Sequence, residues 1–109
     1  MCAENSNEQH KEQINANEMF NEIKTLKPLR QGVFLGEEDE KFYVAKSEKE
    51  VYELSALAYY VWLLCDGEHT VNEILERMSN DIKVEQSEVI EPLVLSLHSL
   101  SHAGLVRFA

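Results

Sequence analysis

The stretch YVWLLCDGEHTVNEI, residues 60–74, decides the fold. An apolar run stops at Asp66-Gly67, and a helix start follows at once. Gly67 suits the left-handed position that closes a helix. Thr70, Val71, Asn72 and Glu73 form a capping box, in which the Thr70 hydroxyl and the Glu73 carboxylate satisfy each other's backbone N–H groups. A helix, a tight turn and a second helix therefore meet here. That arrangement is commonly used to enter the major groove of DNA.

Working outward, Ser55 caps the first of these helices, which runs to about Cys65. Leu57, Tyr60, Val61 and Leu64 give its apolar stripe, with Ala58 and Trp62 beside them. The second helix buries Val71, Ile74, Leu75 and Met78. A third, SEVIEPLVLSLHSLSHAG, is capped by Ser87 and stopped by Gly104. Its stripe is Val89, Leu93, Leu97 and Leu100, flanked by Ile90 and Leu95. Pro92 falls near its first turn, where the missing N–H is tolerated. Residues 105–108 add an extended end.

Before the helices come alternating stretches at 29–35, 41–46 and 50–54. Phe42, Tyr43 and Val44 are strand formers. Gly36, Glu37, Glu38, Asp39 and Glu40 read as a solvated hairpin loop. Short connections predict an antiparallel meander. Period two places Tyr52 and Leu54 on one face of the third strand and Val51 and Glu53 on the other. The fold class is therefore α+β and winged helix-turn-helix-like, with a three-stranded antiparallel meander followed by three helices. Residues 28–109 form the domain. Residues 1–27 are an N-terminal extension, largely disordered because it lacks apolar content to bury. Within it Met19, Ile23 and Leu26 predict a short helix over 17–26, capped by Asn15 or Asn17.

The charge contradicts a DNA role. Ten Lys and Arg face twenty Asp and Glu, a net charge of −10. Nucleic-acid affinity comes largely from Lys and Arg neutralising phosphates. The third helix carries Glu88 and Glu91 and no Lys or Arg, so it can neither hold a phosphate nor read guanine. The same composition disfavours an anionic membrane surface. The longest apolar run is shorter than the ~20 residues a bilayer needs. With no signal peptide after Met1 and Cys2, the expected location is cytoplasmic.

No nucleophile–base set or Gly-rich phosphate loop stands out. His98 and His102, one turn apart, are half a zinc site and read as a rim pair on a solvated face. The acids at 37–40 lack calcium-loop spacing. Cys65 sits in an apolar helical pattern as packing. Neither an enzyme, a cofactor nor a metal site is expected.

Two stretches, YELSALAYYVWLLCDGEHTVNEILERM and EVIEPLVLSLHSLSHAGLV, carry a resemblance. The pattern is Tyr52 and Leu54, then Val61, Trp62, Leu64, Asp66 and Gly67, then Thr70, Val71, Glu73 and Ile74, then Leu100, Gly104 and Leu105. It resembles the PqqD-like family and the related recognition elements for precursors of ribosomally synthesised, modified peptides. The resemblance covers roughly residues 28–108. The chain departs from the family at Ser55, Cys65, Pro92 and Ser96, the last two on the third helix.

The resemblance implies a peptide chaperone. It would bind a precursor by its leader peptide as a strand added to Glu50, Val51, Tyr52, Glu53 and Leu54. It would present that precursor to a modifying enzyme, commonly a radical SAM protein. An open edge strand is physically suited to such β-augmentation. Leu93, Leu97 and Ser101 of the third helix are the expected wall, and Glu50 and Glu53 call for Lys or Arg in the leader. The alternatives are an adaptor subunit that docks on an enzyme without binding a leader, and a winged-helix DNA-binding regulator. The expected partners are a precursor peptide and its enzyme, with no nucleic acid and no membrane. The expected state is a monomer or weak homodimer.

Overall fold

The structure is a computed structural model and describes residues 15–108. The expectation of disorder for residues 1–14, and Cys2 with it, lies outside the described residues. The architecture is α+β. A helix α1 (Ala16–Ile23) leads into strands β1 (Pro28–Arg30), β2 (Val33–Glu38), β3 (Lys41–Ala45) and β4 (Val51–Leu54). Helices α2 (Ala56–Leu64), α3 (Val71–Ile82) and α4 (Gln86–His102) follow, then β5 (Val106–Phe108).

The meander is present, with β2, β3 and β4 antiparallel in that order. The expected first strand is in fact two. Gly32 turns the chain at φ +100°, and a Cβ there would meet the Ala45 carbonyl at 2.8 Å. Only glycine allows both that conformation and that approach. Upstream of it, β1 pairs instead with β5, forming a separate two-stranded sheet. The expected loop at 36–40 is also shorter than its composition suggested. Gly36, Glu37 and Glu38 lie in β2, and Asp39 and Glu40 alone make the turn, at φ +55° and +64°. Two positive φ values are what a two-residue hairpin of native twist demands. A bulge between Phe34 and Gly36 resets the register.

Segment 24–31 laces the layers together through its backbone. Lys24 and Leu26 carbonyls accept the Asn72 and Val71 N–H groups at the start of α3, and Pro28 O accepts Gly67 N–H. Arg30 N–H donates to Cys65 O, and Gln31 N–H to Leu105 O, both at 2.8 Å. Trp62, 3% exposed, spans the same seam. Its indole N–H is shared by Gln31 O and Leu105 O, each at 3.1 Å. The Arg30 guanidinium lies 5.8 Å from its ring centroid.

The helix ends follow local chemistry. Asn15 and Ser55 cap α1 and α2, and the Thr70–Glu73 box is complete on α3. At the end of α4, Leu105 N–H returns to Leu100 O and Gly104 N–H to Ser101 O, the paired bonds of a Schellman stop. Ser87 is not a cap. The N-cap of α4 is Glu85, without a side-chain bond, and Pro92 lies inside the helix.

The core gathers Val44, Leu54, Val61, Trp62, Cys65, Val71, Ile74, Leu75, Met78, Val89, Leu93, Val94, Leu97, Leu100, Leu105 and Val106, joined by Phe20 of α1. The stripe expected for α2 is rotated. Leu57 is exposed, while Val61, Trp62 and Cys65 are buried. Seven of this helix's nine residues, ALAYYVWLL, are large and apolar or aromatic, so periodicity gave it no clear face.

Candidate functional site

β4 has β3 on one side and, among the described residues, no strand on the other. The register pairs Leu54 with Phe42, Glu53 with Tyr43, Tyr52 with Val44 and Val51 with Ala45. Lys46 N–H donates to Glu50 O at 2.8 Å, so residue 50 turns its backbone toward β3. Pairs alternate along an antiparallel ladder. Tyr52 and Leu54 therefore also face β3, while Val51 and Glu53 turn their N–H and C=O groups to the open edge.

A groove of about 390 Å³ runs between β4 and the C-terminal half of α4. Its lining is Tyr52, His98, Ser99, His102 and Ala103. This corrects the wall expected from sequence. Leu93 and Leu97 are 0% exposed and belong to the core, so neither side chain reaches an open groove. Ser101 is exposed on α4 and is not among the lining residues. His98 and His102 line the groove instead, with ring centroids 6.4 Å apart. Their spacing placed them beside the buried stripe, and that flank is what faces the strand.

The remaining sequence-predicted residues are placed as follows. Glu50 sits in the turn before β4 and its carboxylate accepts the Ser47 hydroxyl at 3.3 Å. Val51 is 51% exposed on the outer face of the sheet, and Glu53 beside it lies 3.8 Å from the Lys41 ammonium. Tyr52 is half-buried and Leu54 is buried.

Other polar groups are committed to the fold. A hollow of about 490 Å³ between α2 and α3 has Asp66, Glu73 and Arg77 among its lining residues. Asp66 accepts the Glu68 and His69 N–H groups and the His69 ring, at 2.9, 3.1 and 2.8 Å. The Glu68 N–H is the main cause holding its carboxyl down at about 2, with the His69 bonds adding to it. Glu73 is spent on the capping box, and Arg77 pairs with Asp81 at 3.0 Å. Asp81 also accepts the Tyr60 hydroxyl at 2.8 Å, tying α2 to α3. Burial, then that bond, pushes the Tyr60 phenol up to about 12.

Cys65 has no exposed surface, and burial pushes its thiol up to about 12. It is packing rather than a nucleophile, since the thiolate is the reactive form. Among the described residues no three His, Cys, Asp or Glu side chains gather as metal ligands. The arrangement offers backbone pairing along an edge, under a helix, and little else.

The family model of PqqD, coenzyme PQQ synthesis protein D, matches residues 33–106, which span the meander, α2, α3, α4 and the start of β5. Comparison with curated proteins and with solved structures gave no match.

Proposed function

The chain belongs to the PqqD family, and on that premise we propose that it is a non-catalytic peptide chaperone. It binds a ribosomal precursor by its leader peptide, as a strand added to β4, and presents it to a modifying enzyme, a radical SAM protein. The observation that carries this reading is the open edge of β4 lying beside the α4 groove. Val51 and Glu53 offer two donors and two acceptors there, which supports affinity through main-chain bonds. The helix wall then selects side chains. The accessory role that the family model describes supports leaving the chemistry to the partner enzyme.

The apolar outer face of the sheet supports a contact with that partner. Val33, Leu35 and Val51 are all exposed on it, and residues that leave water on association stabilise a docked complex. The same face also favours the adaptor reading, in which the chain docks on an enzyme and takes no leader. The protein acts in the cytoplasm, as a monomer or weak homodimer. Among the described residues no helix is long and apolar enough to cross a membrane.

The test is a titration of the purified protein with the precursor peptides encoded beside its gene, followed by fluorescence anisotropy. The full precursor and its leader should bind, and the leaderless core should not. Turnover of the adjacent radical SAM enzyme should rise when the chain is added. Stimulation of the enzyme without any leader affinity would select the adaptor reading instead.

A further inference from the structure

We propose that the β4–α4 groove selects a peptide strand bearing a carboxylate on the side turned to α4, near the Val51 end of β4. This deepens the peptide-binding reading and rests on it.

The argument starts from charge. The chain has twice as many acids as Lys and Arg, yet the groove lining of Tyr52, His98, Ser99, His102 and Ala103 contains no carboxylate. Lys46 adds a cation to one end of it. A Cβ built on Gly104 would run into the Lys46 Nζ, so that ammonium lies over the stop of α4, directly after Ala103. Among the described residues no carboxylate pairs with Lys46, His98 or His102. Two imidazoles therefore line the α4 wall of a groove in an acidic protein, and one ammonium lies beyond its Ala103 end. Each imidazole keeps an N–H donor in either tautomer, and the ammonium has three. Hydrogen bonds from such donors to a carboxylate are among the stronger ones available.

Register fixes where the acid falls. Lys46 lies opposite Glu50 in the β3–β4 ladder, so this end adjoins the start of β4, where the Glu50 carboxylate is bonded to the Ser47 hydroxyl. Side chains of an added strand alternate between the two faces. One position on the α4 side meets the Tyr52 ring, and the position two residues away meets His102 and Lys46. The favoured ligand thus carries an apolar residue and an Asp or Glu two positions apart, the acid following in an antiparallel strand and preceding in a parallel one. On the opposite face the demand for a basic residue is weaker than the sequence suggests, because Glu53 already has Lys41 beside it.

The test uses end-capped synthetic peptides of alternating Val and Thr with one Tyr, differing only in a Glu, Gln or Lys two residues from the Tyr. Binding is read by fluorescence anisotropy. The Glu peptide should bind roughly tenfold or more tighter than the Gln peptide, and the Lys peptide should be weakest. His98→Gln with His102→Gln, and separately Lys46→Gln, should bring the Glu peptide toward the Gln value. Because the Glu-to-Gln change is on the ligand, it cannot be confused with unfolding. Equal affinity for the Glu and Gln peptides would overturn the inference and leave the peptide-binding reading standing. If the Lys peptide binds tightest, the acidic outer face dominates and the inference is wrong. Failure of all three peptides and of the native precursor would count against the peptide-binding reading itself.

Discussion

Two proline substitutions on adjacent residues of β4 should have opposite effects. Tyr52 N–H faces Val44, which is fully buried. Tyr52→Pro deletes that donor and leaves a buried carbonyl unpaired, a cost of ~1–3 kcal/mol. The half-buried ring is lost as well, so the total reaches ~3 kcal/mol or more against a domain stability of ~5–15 kcal/mol. Val51 is exposed and its N–H points away from β3, so Val51→Pro breaks no ladder bond. Proline is tolerated at such edge positions, and its cost to the fold should stay near ~1 kcal/mol. Binding should show the reverse. Val51→Pro removes one of the two edge donors and sets an unpaired peptide carbonyl against the groove, at ~1–3 kcal/mol, a loss of roughly fivefold to a hundredfold. Urea titrations and leader-peptide anisotropy on both variants separate the two effects. A stable Tyr52→Pro protein beside an unfolded Val51→Pro protein would show that the inferred ladder phase is wrong. Unchanged leader affinity in a folded Val51→Pro protein would remove β4 from the site.

Three further outcomes follow from the described contacts. Trp62→Ala should destabilise the fold by ~3–5 kcal/mol, since it opens a cavity and removes the indole donor from the Gln31 carbonyl, while the Leu105 carbonyl keeps the Gln31 N–H; a loss under ~1 kcal/mol in a denaturant titration would contradict its role as the anchor. Replacing Asp39-Glu40 by Asn-Gly should stabilise the hairpin by ~1 kcal/mol, because non-glycine residues at positive φ are strained there; an unchanged or lower melting temperature would refute this. Asp66 is held at about 2, below its ordinary 3.8, so its contribution is present above pH 3.8 and is lost as pH falls toward 2. Its side chain is 36% exposed, and with solvent screening that contribution is ~1 kcal/mol. Asp66→Asn should therefore lower stability at neutral pH, and the gap should close on acidification; a gap that widened would reverse the sign.

Local chemistry explains which features were legible in the sequence. Thr70 and Glu73, Gly67 and Gly104 act within a few residues of themselves, so their caps and stops could be read directly. The meander was legible for the same reason, through alternation and short turns. Gly32 lies inside an alternating run, where a glycine signals a break. What it does there, splitting β1 from β2, depends on the distant Ala45 carbonyl and on β5. The rotation of α2 was hidden because nearly all its residues are apolar. By sequence Leu93 and Leu97 suit both the core stripe and the groove wall. A fully buried side chain cannot do both, and the packing of α4 against the rest of the core settles the choice. His98 and His102 then face the groove as the neighbours of that stripe.

The most direct test of the central claim is amide hydrogen exchange on β4, with and without saturating leader peptide. Val51 and Glu53 have N–H groups turned to the open edge, and their exchange should slow strongly when a peptide strand pairs with them. Tyr52 and Leu54 already face β3, and their exchange should change far less. If Val51 and Glu53 exchange as fast in the complex as in the free protein, with protection appearing on α3 or on the N-terminal segment, the leader does not add to β4.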